Sequence, residues 1–419
     1  MQTLKFIDLF AGCGGLSLGL STAGLSGVVA IERDSMAFET LSSNLLNGPI
    51  KYRFQWAQNI PRQPMQIQHF LTKHGSEIRK LRGTIDLIAG GPPCQGFSFA
   101  GKRVSSDPRN KMLVHYINVV KLVRPKFLLV ENVKGIASRH TEEEQSFSEV
   151  LIEKLERLGY RCITKIIRAA DYCVPQERPR FILIGVDSCQ FENLNLQDVL
   201  PAYWDAALSV GRNIFLQETG LSGERISCQD ALSDIESSKA ELVECSDAPH
   251  RFQIVYRGPK TQYQLILNGG VHANSMNSMR LAKHAPSTVT RFAWIQKNCR
   301  IGVTLSSSEL KDVATKKRSQ VVLDPNRAAH TLTTLPDDVL HYSEPRILTV
   351  REYARLQSFP DWFQFRGKYT TGGDKRTTEC PRYTQIGNAV APFVAQVMGY
   401  AVKELHKQLL ESVAACRSS

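Results

Sequence analysis

Over its first 188 residues the chain alternates short apolar runs with helical patterns, and this alternation limits the folds open to it. Leu4–Leu9, Gly27–Ile31, Ile85–Ala89, Phe127–Val130, Cys162–Arg168 and Arg180–Val186 read as strands. Leu16–Gly24, Ala37–Leu46, Met112–Leu122 and Ser148–Leu158 read as helices between them. The order predicts an α/β domain, a doubly wound and mostly parallel sheet with helices on both faces. Sheets of this kind place ligands beyond the carboxyl ends of their strands. Residues that carry chemistry are therefore sought just past the apolar runs.

The first such place is Phe6–Leu16, a strand, a glycine-rich turn and a helix start. Gly12, Gly14 and Gly15 allow the backbone to approach a ligand closely. Ser17 stands where the dinucleotide fingerprint requires a third glycine, so the turn points only to a nucleotide-like ligand. Glu32 ends the second strand, twenty residues beyond Gly12. A carboxylate there can accept from two ribose hydroxyls, so turn and carboxylate together suggest an adenosine-bearing cofactor.

The next is Gly90-Gly91-Pro92-Pro93-Cys94-Gln95-Gly96-Phe97-Ser98. Two prolines fix φ and remove backbone donors, which holds Cys94 on a stiff mount. A rigidly mounted intracellular thiol is a candidate nucleophile, although a buried cysteine in a tight turn fits the same string. Glu131-Asn132-Val133 follows the strand Phe127–Val130. Glu131 is a candidate acid or hydrogen-bond donor there, with a helix cap as the plainer reading. In Gln176-Glu177-Arg178-Pro179-Arg180 the two arginines, spaced by two, share one face of an extended segment. They suit a phosphate or a base carbonyl, or are simply exposed.

The 419 residues suggest two or three domains. The net charge of +12 and a pI near 9.2 favour an anionic partner, nucleic acid above all. The ten cysteines form no C-x-x-C pair, and His272, His284 and His330 show no metal spacing, so neither zinc nor a disulfide framework is expected. No apolar run is long enough to span a bilayer, and the N-terminus shows no signal-peptide pattern. Residues 190–250 carry 11 acidic against 3 basic side chains, whereas 251–330 carry 13 basic against 3 acidic. The basic block interleaves Phe252, Tyr256, Tyr263, Phe292 and Trp294, a composition suited to phosphates and bases. It reads as a separate domain, which divides the chain into 1–188, an insert at 189–345, and a return at 346–419.

These motifs together resemble the DNA (cytosine-5) methyltransferases of bacterial type. The resemblance rests on FIDLFAGCGGLSLGL at 6–20, Glu32, GGPPCQGFS at 90–98, ENV at 131–133, QERPR at 176–180, RILTVREYARLQSFP at 346–360 and QIGNAV at 385–390, all in the family's order. It implies an S-adenosylmethionine-dependent methyltransferase fold with an inserted target recognition domain. Cys94 would add to C6 of a flipped-out cytosine, and Glu131 would hydrogen-bond its N3 edge. Arg178 and Arg180 would meet the flipped base and the neighbouring phosphate. The cofactor would lie against Phe10, Ala11, Gly12, Gly14, Gly15, Leu16, Glu32, Asn59, Ile60, Asn388, Ala389 and Val390. Gln95, Ser98 and Gln176 would lie on the DNA.

The resemblance further implies a monomer acting on double-stranded DNA in the cytoplasm, at the nucleoid, beside a cognate restriction endonuclease. Two positions depart from the family pattern. Asn59 stands where an aspartate usually binds the adenine amino group, and Arg33 stands where an apolar residue often packs on the adenine. An RNA cytosine-5 methyltransferase and a non-catalytic DNA-binding paralogue are the alternative readings.

Overall fold

The computed structural model describes residues 3–92, 110–138, 146–192, 194–245, 247–270, 276–313, 319–373, 375 and 378–418. The chain divides into two compact units. The first comprises 1–168, 179–218 and 394–419, and the second 169–178 and 219–393.

The first unit is built on β1 (Lys5–Leu9), α1 (Gly15–Thr22), β2 (Ser26–Ile31), α2 (Ser35–Leu41), α3 (Ile67–Arg79), β3 (Leu87–Gly90), α4 (Asn110–Val123), β4 (Phe127–Val133), α5 (Phe147–Glu156), β5 (Tyr160–Arg168) and β6 (Pro179–Asp187). The sheet order is β2-β1-β3-β4-β6-β5. The first four strands are parallel, and β6 runs antiparallel to both β4 and β5. The central strands are short apolar runs buried on both faces, as a helix-covered parallel sheet requires.

The strand register aligns the motifs. Leu9 lies opposite Ile31 on one side and Gly90 on the other, and Gly90 lies opposite Val130. The residues that follow these four are Phe10, Glu32, Gly91 and Glu131. These four positions thus line up in one row across the parallel strands, although β4 itself continues to Val133. Gly90 is demanded by packing, since a Cβ there would sit 2.4 Å from the Leu9 carbonyl oxygen.

The long helix α6 (Leu196–Thr219) belongs to the first unit up to Glu218. It buries Leu200, Trp204, Ala207 and Leu208, and Gly211 brings it onto the backbone of residues 397–401.

The second unit contains α7 (Cys228–Leu232), β7 (Leu242–Glu244), β8 (Phe252–Ile254), α8 (Gln262–Asn268), α9 (Pro286–Asn298), α10 (Ser307–Asp312), β9 (Val321–Val322), β10 (Val339–Leu340), α11 (Val350–Leu356) and α12 (Arg382–Asn388). The last helix, α13 (Pro392–Ser418), starts there and runs on into the first unit. An apolar cluster of Phe292, Ile295, Leu305, Leu310, Val313, Val322, Leu340 and Ile347 forms one core of the second unit. Buried arginines hold another part. Arg355 lies between Asp234 and Asp361, and Arg346 between Glu344 and Glu352. Arg351 donates to the carbonyls of Asn277, Pro360 and Phe363. Buried guanidinium groups are tolerated only with such complete pairing.

The unit boundaries differ from the expected 189 and 346. The acidic excess after 190 starts on α6, a helix of the first unit, and so does not mark the boundary. The segment 346–360 does not begin the return. Its three arginines and the Thr349–Glu352 capping box are committed to partners in the second unit. The chain re-enters the first unit only at Val394.

Candidate active site

The glycine-rich turn leaves β1 through a Phe10 with left-handed backbone (φ 63°). Non-glycine residues seldom adopt this conformation, and it persists mainly where surrounding structure enforces it. Gly12 (φ 56°) and Gly14 (φ 95°) continue the turn into α1. Glu32 braces it, accepting from the Gly12 amide (2.9 Å) and from the Asp34 amide (2.7 Å). Burial raises the Glu32 pKa, against the pull of those two amides. Ala11, Gly15 and Leu16 are buried behind the turn.

Sequence reasoning missed Asp8. It is 1% exposed, and its carboxylate accepts from the Ser17 hydroxyl at 2.5 Å and from the Ser17 amide. The N-cap residue Gly14 has no side chain, so Asp8 caps α1 from the neighbouring strand. Its Oδ1 atom is buried with no hydrogen-bond partner among the described residues. Burial pushes its pKa up to about 7; the Ser17 hydroxyl opposes this and the charge of Glu32 adds to it. An acidic residue inside an otherwise apolar strand was the available signal.

Ile60 is buried and its carbonyl accepts from the Trp56 indole at 2.7 Å. Asn59 is exposed, with its side chain hydrogen-bonded to Glu77. Arg33 is exposed.

At the next strand ends, Arg180 Nε lies 2.7 Å from Glu131 Oε1, and the two side chains are 11% and 12% exposed. Arg180 faces Val133 in the β4–β6 register, which places Glu131 on the diagonal of the same face. Burial disfavours the arginine's charge, and Glu131 counters it. A Cβ on Gly91 would lie 3.0 Å from the Glu131 carbonyl oxygen and 3.4 Å from its Oε2. The buried Asn132 donates from Nδ2 to the Pro92 carbonyl at 2.8 Å. The glycine-proline segment is therefore fixed against Glu131 and Asn132. Cys94, Gln95 and Ser98 lie outside the described residues, and Cys94 follows Pro92 by two positions. Cys13 is buried, and burial pushes its thiol up to about 12, so it packs in the turn as a neutral group.

Two expectations at 176–180 need correction. Arg178 and Arg180 do not act as a pair. Arg178 is 3% exposed, and its guanidinium donates to the carbonyls of Leu332 (3.3 Å), Gly387 (2.7 Å) and Ala389 (3.3 Å) in the second unit. Gln176, expected on DNA, is fully buried. Its Nε2 donates to the Leu356 carbonyl and to Gln357 Oε1, and its Oε1 accepts from the Leu332 amide. Gln357 in turn donates to the carbonyls of Ile386 and Ala389. Arg178 and Gln357 thus satisfy carbonyls at the end of α12, and Gln176 holds Gln357 in place. The residues they hold come to the surface: Asn388 is exposed, and Ala389 and Val390 are half-buried. Gln357, not singled out from sequence, completes the clamp.

The glycine turn suits S-adenosylmethionine. A Cβ on Gly12 would find no atom within 4 Å, so space lies open there. The free oxygen of Asp8 and the carboxylate of Glu32 suit a ligand bearing positive charge and hydroxyls. No group of side chains able to hold a metal ion is found among the described residues.

Comparison with known proteins agrees with this geometry. The family model for C-5 cytosine-specific DNA methylase matches residues 4–404. The chain is 31% identical over 405 residues to the Type II methyltransferase M.DdeI of Desulfomicrobium norvegicum, covering 94% of this chain and 87% of that protein. It is 31% identical over 431 residues to the Type II methyltransferase M.XorII of Xanthomonas oryzae pv. oryzae, covering 96% and 85%. A solved E. coli structure, described as a prophage-encoded DNA modification methyltransferase, aligns with a TM-score of 0.66 at 25% identity over 97% of this chain and all of that one. A family match that runs from β1 into α13, over a sheet whose strand ends assemble these motifs in one row, makes the chain a member of the C-5 cytosine-specific DNA methylases.

Proposed function

We propose that the protein methylates C5 of a cytosine within a specific duplex DNA sequence, as the modification enzyme of a restriction-modification system. The observation that carries the reading is the pairing of Glu131 with Arg180 beside the anchored Gly91–Pro92 segment. S-adenosylmethionine, when bound, supplies an electrophilic methyl group. Phe10, Gly12 and Glu32 would hold it at the glycine turn, with Ile60 as a further contact. Asp8 supports the turn from beneath.

The target carbon is unreachable in a stacked duplex, so the base must rotate out at a cost of a few kcal/mol, recovered in the pocket. Cys94 then attacks C6 as a thiolate. Cytosine is a poor electrophile, so a hydrogen bond from Glu131 to N3 accompanies the attack; once C5 is methylated, its proton passes to water while the C6–S bond breaks and frees the Cys94 thiolate. Arg180 orients the Glu131 carboxyl and supplies local positive potential. Arg178 has a supporting task, since its guanidinium is engaged with backbone carbonyls.

The second unit carries the basic block of residues 251–330, and Trp294 (44% exposed) and Phe252 (58% exposed) project from it. Positive charge with exposed aromatics supports base and backbone contact with DNA. Bisulfite sequencing of DNA from cells expressing the chain tests the whole reading. Methylcytosine in one sequence context is expected, and its loss with Cys94→Ala. Methylation of transfer RNA without DNA would overturn it.

A further inference from the structure

We infer that Arg280 reads a guanine of the recognition sequence, presenting its terminal N–H groups to O6 and N7 in the major groove. The inference rests on the DNA methylation proposed above and concerns the second unit alone. The Arg280 guanidinium lies over the Tyr369 ring, with Cζ 3.9 Å from the ring centroid. Tyr369 is buried, and its hydroxyl donates to Asp247 Oδ1 at 2.7 Å, so the arginine stacks on a fixed ring. The backbone on both sides of Arg280 is held as well. The Leu281 amide donates to the Phe252 carbonyl at 2.9 Å, and the Ser278 carbonyl accepts from the Arg351 amide at 3.0 Å.

The buried arginines of this unit have acceptors of their own, carboxylates for Arg346 and Arg355 and carbonyls for Arg351. Arg382 also lies over the Tyr369 ring, 4.2 Å from its centroid, and donates to Asp247 Oδ2, Ser278 Oγ and the Gly367 carbonyl. Arg280 differs from all of these. It is half-buried and has no hydrogen-bond or ion-pair partner among the described residues, and its Nε is fully buried without one. Both oxygens of Asp247, the carboxylate beside the ring, are already engaged. Burial disfavours the Arg280 charge, and the charge of Arg251 adds to this. A cation so placed is costly unless a ligand brings the acceptors.

With Nε buried, only the terminal nitrogens remain for that ligand, and stacking on Tyr369 fixes their plane. Two acceptors side by side in one plane match this edge, and guanine offers such a pair in the major groove. A phosphate can be held by a point charge without a fixed plane, as a lysine holds it.

The test uses the full chain and duplexes carrying the sequence context found by bisulfite mapping. Each guanine is replaced in turn by 7-deazaguanine, which lacks the N7 acceptor. At one position this should weaken wild-type binding about tenfold or more. Arg280→Met fills the space without the fork. It should bind the normal duplex about tenfold or more weakly, and lose nothing further when that position carries 7-deazaguanine. Bisulfite maps from cells expressing the variant should show other base pairs accepted there. An equal loss on cognate and unrelated duplexes, with the salt slope reduced by about one, would mark a phosphate contact and overturn the guanine assignment. Unchanged affinity and specificity in Arg280→Met, or wild-type indifference to every 7-deazaguanine, would overturn it too. Failure of both Arg280→Met and Arg280→Gln to fold would show that the side chain serves the fold, which also defeats the proposal. Absence of methylcytosine with the wild-type chain would remove the reading beneath it, whereas normal wild-type methylation with any of the adverse results defeats the role of Arg280 alone.

Discussion

Arg180 Nε lies 2.7 Å from Glu131 Oε1, across two antiparallel strands and with both side chains largely buried. An arginine so placed offers its planar fork to a carboxyl and leaves other N–H groups to address a ligand. The pair links the end of β4 to the start of β6, and it directs the carboxyl to one place.

The first prediction concerns Glu131. Glu131→Gln keeps the shape and a hydrogen bond but removes the acid. Single-turnover methyl transfer should fall by roughly 10²–10⁴-fold, the usual range for a positioned acid or base. Cofactor affinity, measured by calorimetry, should be little changed. Lost cofactor binding with intact chemistry would show that Glu131 serves the glycine turn instead.

Arg180→Lys tests the fork. A lysine supplies one point charge where the guanidinium supplies a directional plane. The methyl-transfer rate should fall by about tenfold or more, corresponding to at least about 1.4 kcal/mol of transition-state stabilisation. The melting temperature should move by only a few degrees, because the charge pairing with Glu131 survives.

Much of the first unit was legible in the chain because apolar runs such as Ile85–Ala89 and Phe127–Val130 are short, bounded and buried on both faces. The site row was legible because its members follow those runs directly. Arg178 and Gln176 were misread for a physical reason. Spacing by two places side chains on one face only while the segment stays in one strand, and β6 begins at Pro179. Arg178 falls before that start, in a buried segment whose partners at 332, 387 and 389 are remote in sequence. Asp8 was overlooked because its cap to Ser17 crosses from strand to helix and leaves no local pattern.

Arg178→Ala should act on stability before chemistry. It leaves the buried Gly387 and Leu332 carbonyls short of a partner, at about 1–3 kcal/mol for each group left unsatisfied. A clear drop in the denaturation midpoint is expected, with Gln357→Ala giving a similar loss. The two losses should add to less than their total in the double variant, since both side chains hold the Ala389 carbonyl. Strict additivity would mean that they act independently.

The last prediction turns on the raised pKa of Asp8. Its folded value of about 7 lies above its ordinary 3.8, so between these values the folded protein holds a proton that the unfolded chain releases. The group therefore favours the folded state most on the acid side, and that contribution is lost as pH rises from about 4 through 7. Asp8→Asn mimics the protonated form and keeps an oxygen for Ser17. Near pH 4 the variant and wild type should have similar stability. The difference should grow in favour of the variant as pH rises and level off above about 7, reaching on the order of 4 kcal/mol. Denaturant melts at several pH values read this directly. A difference independent of pH would show that Asp8 is ionised in the folded protein throughout, held by a positive partner near its free oxygen.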